Sequence, residues 1–226
     1  MVRKMKTKGF LICFTGIDGS GKTTLSKALV EMLNKNSIKC KYVYGRIEPF
    51  ISRVFIWVGR KLFLRGKDAF GNYIEYSNIK RAAMKRNSFL STIYQNILLF
   101  DYSLQLLFKI RIPLILGKNI VCDRYVYDTI IDLSVDMEFS GSEMRDLIKK
   151  LFYIAPKPDI VFLIDLLEEI AFQRKKDTPS IEYLKERRKA YFSIINEEEI
   201  VVLDGSKSLD KLKEIIQNKV AEVVIK

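Results

Sequence analysis

The sequence predicts an α/β protein, a parallel sheet covered by helices on both faces. Three observations point there. Short apolar runs alternate with longer segments of helical periodicity. The runs are almost continuously apolar, as strands buried on both faces must be. The first run ends in a glycine-rich turn that leads directly into an amphipathic segment. A chain of 226 residues fits one domain at roughly 100–200 residues per domain, so 1–226 is expected to fold as a single unit.

Each element has its own signal. Phe10–Thr15 reads as a buried strand ending at Gly16. Lys22–Leu33 reads as a helix, because Leu25, Leu29, Met32 and Leu33 share one face. Lys41–Tyr44 alternates basic and apolar residues, a second strand closed by Gly45. Ser88–Ile110 is a long helix, with Ile93, Ile97, Phe100, Leu104 and Leu107 spaced 4-3-4-3. Asn119–Cys122 is the third strand and Ser142–Ile154 a helix. The breaker Pro156-Lys157-Pro158 precedes a fourth strand, Ile160–Ile164. Ile181–Ile195 is helical, Ile200–Leu203 is the fifth strand, and Leu209–Val224 is a final helix.

Composition removes several classes of function. A hydrophobic fraction of 48% excludes disorder as the main state. The chain has no histidine, so histidine bases, histidine-containing zinc sites and Ser-His or Cys-His pairs are excluded. Chemistry must run on carboxylates, lysine, arginine, hydroxyls, backbone amides or a metal brought by a ligand. The three cysteines, 13, 40 and 122, are dispersed, which argues against a disulfide framework and for a reducing compartment. Cys13 and Cys122 lie in apolar strands and read as small buried hydrophobes. The apolar run Phe10–Phe14 is too short for a signal peptide core. Ile97–Leu116 is interrupted by Asp101, Lys109, Arg111 and Pro113, against a membrane span. A cytoplasmic protein without membrane contact is the expectation.

The formal charge of +12 is unevenly spread: residues 46–90 carry ten Lys and Arg against three carboxylates. Such a surface prefers anionic partners, whether phosphorylated metabolites, nucleic acid or acidic lipid.

The strongest motif is Gly16-Ile-Asp-Gly-Ser-Gly21-Lys22-Thr23-Thr24. It fits G-x-x-x-x-G-K-[ST] between a strand and a helix, the phosphate-binding arrangement. Gly16, Gly19 and Gly21 let the backbone curl, so that amides, Ser20 included, point at phosphate oxygens. The helix start adds roughly half a positive charge. Lys22 can bridge the β- and γ-phosphates of a nucleoside triphosphate, and the Thr23 hydroxyl can ligate Mg²⁺. A second signal is Asp123-Arg124-Tyr125 at the end of the third strand. A carboxylate there stands at the carboxyl edge of the sheet, where α/β folds bind ligands. Asp123 can hold the Mg²⁺ shell, and Arg124 can clamp a phosphate bidentately.

These residues resemble the thymidylate kinase family of P-loop nucleoside-monophosphate kinases. The resemblance rests on the loop Gly16–Thr24 with Asp18, on Gly117-Lys118 before the third strand, and on Asp123-Arg124-Tyr125. It continues through Pro158-Asp159-Ile160, then Asp165, Glu169, Ala171 and Arg174, Tyr191, and Asp204-Gly205-Ser206. It implies a three-layer fold with five parallel strands in the order 2-3-1-4-5. It implies ATP and Mg²⁺ as cofactors, a mobile lid at about 174–182, and subunit pairing through a long helix, here Ser88–Ile110. Asp18 would face the acceptor's sugar, and Ser206 and Arg174 would lie by the adenine and the lid. Departures cluster where the family reads the base. Leu98 stands in place of a stacking Phe, Asp101 keeps its carboxylate or amide, and Tyr102 replaces an Arg. Ile131-Asp132-Leu133 replaces Ala-Tyr-Gln, and Arg46-Ile47-Glu48-Pro49-Phe50 only loosely echoes Arg-Glu-Pro-Gly.

Ser20 occupies a loop position where some relatives carry an Arg. The transferring charge must then be met from the lid, by Arg174, Lys175 or Lys176, with Arg187 and Arg188 as further candidates. The insertion at about 50–90 interleaves bases with Phe50, Phe55, Trp57, Phe63, Phe70, Tyr73 and Tyr76. Phe50, Val54, Trp57 and Val58 fall at helical spacing, so packing against the core is the default. An enlarged acceptor pocket or a nucleic-acid or membrane surface are the alternatives.

Three readings of function follow. The first is an ATP- and Mg²⁺-dependent kinase of a nucleoside monophosphate, with dTMP the first guess. The second is a kinase of a nucleoside or other hydroxyl acceptor, with Glu48 as general base. The third is a nucleic-acid-binding protein of the same fold. Lys22, Arg124 and Arg174 carry catalysis in the first reading, and Asp18, Glu48, Leu98, Asp101, Tyr102 and Arg124 line the acceptor site.

Overall fold

The computed structural model describes residues 9–50, 52–59, 61, 69–195 and 200–224. The amino-terminal basic head and, within the basic insertion, Arg60, Phe63, Arg65 and Lys67 lie outside the described residues. Five strands, β1 (Leu11–Thr15), β2 (Cys40–Tyr44), β3 (Asn119–Asp123), β4 (Ile160–Asp165) and β5 (Ile200–Asp204), form one sheet. All four pairings are parallel and the order is β2-β3-β1-β4-β5. The expected α/β fold and strand order are both found.

The apolar runs are explained by two cores, one on each face of the sheet. Ile12, Phe14, Val121, Ile160, Phe162 and Ile164 point to one face. There they meet α1 (Lys22–Lys35) and α10 (Leu209–Val224) through Leu25, Leu29, Leu33, Leu212 and Ile216. Their neighbours Leu11, Cys13, Ile120, Cys122, Val161 and Leu163 point to the other face. That face is covered by α4 (Ser88–Leu106), α6 (Val126–Met137), α7 (Gly141–Leu151) and α9 (Ile181–Ile194). Cys13 and Cys122 are fully buried there as small apolar residues.

The long helix does not stop at Ile110. After α4 it widens into a π turn, Leu107–Arg111, and continues as the short α5 (Ile112–Ile115). The Ile112 amide bonds to the Leu107 carbonyl, five residues back. Pro113 lacks an N–H and would collide with the carbonyl four residues earlier. An extra residue in the turn relieves that clash.

Three helices have no counterpart in the sequence reading. α6 is buried on nearly every side, Val126 to Val135, so it shows no apolar stripe of period 3.6. α8 (Glu168–Arg174) is only seven residues long. α3 (Tyr73–Arg86) starts with Asn72, whose side chain accepts the Glu75 amide at 3.1 Å. With α2 (Ser52–Gly59) it accounts for the described part of the basic insertion. α3 packs on α4, α6 and α9, and α2 packs on α4, but not through Phe50, Val54, Trp57 and Val58, whose spacing suggested packing. Phe50, Val54, Phe55 and Trp57 of the same segment face solvent.

Candidate active site

The carboxyl ends of β1, β3 and β4 converge on a cavity of about 500 Å³. Its walls are the glycine-rich loop, Arg124, the Arg174-Lys175 pair, and Gly205 with Lys207. Gly16, Gly19 and Gly21 all have positive φ, at 138°, 80° and 98°. Gly19 is also the closest approach in the loop: a Cβ there would lie 2.2 Å from the Ala171 carbonyl oxygen of α8. Any side chain at residue 19 would force α8 away from the loop. Lys22, at the first position of α1, is buried and arches back across the loop. Its ammonium donates to the Ile17 carbonyl at 2.5 Å and to Ser20 Oγ at 3.3 Å. Burial, reinforced by the Arg124 charge, pulls this ammonium down to about 7. A phosphate arriving at the loop would favour its charged form.

Thr23 and Asp123 meet across the sheet. Thr23 Oγ1 donates to Asp123 Oδ2 at 2.6 Å, which leaves the threonine oxygen's lone pairs free for a cation. Tyr42, on β2, donates its hydroxyl to the same Oδ2 at 2.8 Å. The other oxygen, Asp123 Oδ1, is buried with no hydrogen-bond partner among the described residues. An orphaned carboxylate oxygen beside a free hydroxyl oxygen is the hard-oxygen donor set that Mg²⁺ prefers. Among the described residues no group of three or more His, Cys, Asp or Glu side chains is placed to hold a metal.

Arg124 and Asp18 form the other half of the site. Arg124 follows β3 in a left-handed backbone, φ +67°, unusual for a residue with a side chain. Its amide bonds to the Phe14 carbonyl at 2.9 Å. Its guanidinium spans two carboxylates, Asp18 Oδ1 at 2.5 Å and Asp128 Oδ1 at 3.2 Å. Asp128 is the hidden organiser of this group. It accepts Thr15 Oγ1 at 2.8 Å, the Tyr125 amide at 3.0 Å and the Tyr191 hydroxyl at 2.7 Å. The sequence reading passed over Asp128. Its one signal was a carboxylate four residues after Arg124 and three after Tyr125, the spacing of a pair across the first turn of a helix.

Asp18 accepts three cationic or hydroxyl donors: Arg124, Lys175 Nζ at 3.0 Å, and Tyr183 OH at 3.4 Å. Burial by itself would raise its pKa, but Arg124, Lys22 and Lys175 together hold it well below the usual carboxylate range. The folded state therefore binds this proton less readily than the unfolded chain. Asp18 then stabilises the fold above about pH 4, and that contribution fades as the medium becomes more acid. The difference in melting temperature between wild type and Asp18→Asn is expected to shrink from pH 6 to pH 3. A difference that stays constant over that range would contradict the ion-pair geometry.

The lid candidates separate clearly. Lys175 reaches Asp18, whereas Arg174 bonds to the Gly205 carbonyl at 3.3 Å, on the other side of the cavity. Lys176 is exposed. Arg187 lies 3.5 Å from the Tyr183 ring centre and bonds through Nε to Asp132 at 2.8 Å. Arg46, just past β2, bonds to the other oxygen of Asp132 at 2.6 Å. Arg188 pairs bidentately with Asp165, at 2.7 and 3.1 Å, and fastens α9 to the end of β4. The Ser206 hydroxyl and amide both turn to Asp204.

The residues expected on the acceptor side have the following partners in the fold. Leu98, Asp101 and Tyr102 are buried in α4 and do not line the cavity. Asp101 accepts the Phe50 amide, the Ser52 amide and Ser52 Oγ at 2.7, 3.1 and 2.8 Å, which anchors the start of α2. The Tyr102 hydroxyl bonds to the Gly45 carbonyl at 2.8 Å. Glu48 is exposed, pairs with Lys109, and is held through its backbone by Gln105.

Comparison with known proteins matches this arrangement. A thymidylate kinase family model matches residues 74–216, more than half of the chain. The chain belongs to the thymidylate kinase family. A thymidylate kinase of Leptospira borgpetersenii is 30% identical to it, over 91% of this chain and 90% of that protein. One from Ligilactobacillus salivarius is 29% identical over 91% and 94%. A second model, adenylylsulphate kinase, matches residues 8–47, the stretch around the phosphate loop. Neither model covers 48–73, the part of the basic insertion that holds α2. Membership of the thymidylate kinase family makes the chain a nucleoside-monophosphate kinase with ATP as phosphate donor. No helix among the described residues is long and apolar enough to cross a membrane.

Proposed function

We propose that the protein transfers the γ-phosphate of ATP to dTMP, the reaction its relatives' names describe. One observation carries this reading. Lys22, Thr23, Arg124 and Asp18 line a single cavity, with Asp123 bonded to Thr23, and together supply cation, metal site and acceptor clamp. A phosphate acceptor already bears an anionic oxygen, so no general base is required, in keeping with a chain that has no histidine. Catalysis then consists of aligning two polyanions and neutralising their charge. Lys22 holds the donor's β- and γ-phosphates in the loop of Gly16, Gly19, Ser20 and Gly21. Arg124 holds the acceptor's phosphate, and Asp18 faces its sugar. Thr23 and Asp123 would hold Mg²⁺, which when bound would neutralise charge on the donor phosphates. Thr24 continues the ring of amides at the helix start.

Lys175 is the lid cation nearest the reacting groups, since it shares Asp18 with Arg124. Arg174, with Gly205 and Ser206, borders the donor's adenine. Two subunits pair through the apolar outer face of α4, where Phe89, Leu90 and Phe100 are exposed. The reading places the enzyme in the cytoplasm. The hydroxyl-acceptor reading is not favoured: Glu48 is solvent-exposed and ion-paired with Lys109.

The test is an ATP-consumption screen across nucleosides and nucleoside monophosphates, repeated with Glu48→Gln. Turnover is expected with dTMP, and Glu48→Gln is expected to retain it within about twofold. A lost general base would instead cost about 10²-fold or more. Turnover on nucleosides alone, abolished in Glu48→Gln, would replace this reading with hydroxyl transfer.

A further inference from the structure

A tyrosine on the edge strand addresses the metal-binding carboxylate. β2 is an edge strand, paired only with β3 in the sheet order. Its Tyr42 side chain lies on the α1 side, with the Lys27 ammonium 5.7 Å from the ring centre. From there the phenol reaches the end of β3 and donates to Asp123 Oδ2 at 2.8 Å. Thr23 Oγ1 donates to that same oxygen at 2.6 Å. Two hydroxyls from two different elements therefore converge on one carboxylate oxygen. The second oxygen, Oδ1, is buried and left without a partner among the described residues.

This asymmetry has a physical consequence. A lone aspartate carboxylate rotates about its terminal bond through a broad, roughly two-fold well. One donor restrains one oxygen only loosely, whereas two donors from different elements restrain it more firmly and so limit rotation of the carboxylate. Leaving a buried carboxylate oxygen without a donor is unfavourable, a loss that persists only where the surroundings impose the orientation. A bound cation, or water in its shell, is the partner that would recover it. Phenol and threonine differ in a useful way. Thr23 gives its proton to Asp123 and keeps lone pairs for a metal, whereas Tyr42 sits on the carboxylate alone.

We propose that Tyr42 is a positioning residue for the metal site: it locks Asp123 so that Oδ1 is presented to the Mg²⁺ that accompanies the donor nucleotide. This rests on the phosphoryl-transfer reading of the same site. Tyr42 does not line the phosphate cavity, and its hydroxyl acts on the site through Asp123.

Tyr42→Phe keeps the ring, its packing and its contact with Lys27, and removes only the hydroxyl. The experiment titrates Mn²⁺ into the full-length protein saturated with ADP, reading bound metal by electron paramagnetic resonance. Affinity of ADP without metal is measured in parallel. Tyr42→Phe is expected to weaken Mn²⁺ binding by about ten- to hundredfold, the usual loss when a partner that orients a metal ligand is removed, and to leave metal-free ADP affinity unchanged. Equal Mn²⁺ affinity in the two proteins overturns the role of Tyr42 while the phosphate-loop reading stands. A parallel loss of metal-free ADP affinity shows a structural effect and overturns it equally. Failure of the wild type to bind ADP with or without metal overturns both.

Discussion

Lys22→Ala is expected to remove phosphoryl transfer while the protein stays folded. The ammonium is the one cation held inside the curl of the glycine-rich loop, donating to Ile17 O and Ser20 Oγ. Its charge must be met in the free protein by a loop that was built to bring it near phosphate. Loss of a single preorganised donor at a developing negative charge typically costs about 10²–10³ in turnover, and a full positive charge in a buried site is at the upper end of that range or beyond it. The fold should be spared, because the positive φ values of Gly16, Gly19 and Gly21 and the packing of α1 through Leu25, Leu29 and Leu33 do not depend on the ammonium. The measurement is kcat/KM with ATP and dTMP, accompanied by a thermal melt. Normal turnover in Lys22→Ala would remove the phosphate-loop assignment and everything built on it.

Asp128→Ala is expected to damage both stability and activity. Asp128 is completely shielded from solvent, and its two oxygens take bonds from Thr15, Arg124, Tyr125 and Tyr191. Alanine leaves those donors, a guanidinium among them, without their acceptor. Breaking a buried charged pair from one side costs about 3–5 kcal/mol. Tyr191 also donates to the Gly16 carbonyl at 3.1 Å, so the loss reaches the first residue of the phosphate loop. Chemical denaturation would read the stability change, and kcat/KM for dTMP the release of Arg124 from its aim. Asp128→Asn, which keeps an acceptor oxygen but not the charge, should fall between the two. An Asp128→Ala protein with wild-type stability would show that the buried network is not an organising element.

The legibility of the site followed sequence locality. The phosphate loop lies within nine consecutive residues, so its glycines, lysine and threonine could be read directly, and the structure brings them to one cavity. Asp123 and Arg124 were legible because an apolar strand delivers the two residues after it to the sheet's carboxyl edge. The residues that aim them were not. Tyr42 reaches Asp123 across 81 residues and Thr15 reaches Asp128 across 113. Leu98, Asp101 and Tyr102 were placed beside the acceptor's base by resemblance alone. In the fold Asp101 secures α2 and Tyr102 secures Gly45, because α4 turns these side chains into the core behind the cleft.

Periodicity and loop chemistry by themselves determined the five strands, the helices with a single apolar face, and the cradle for a polyphosphate. These depend on bonds and side-chain spacing between near neighbours in the chain. Only the tertiary structure decided that α6 is a helix, that Lys175 rather than Arg174 meets Asp18, and that Asp128 and Tyr42 orient the charged groups. A helix buried all round carries no periodic contrast. A polar side chain's partner across the sheet is chosen by strand order and register, which no stretch of adjacent residues encodes.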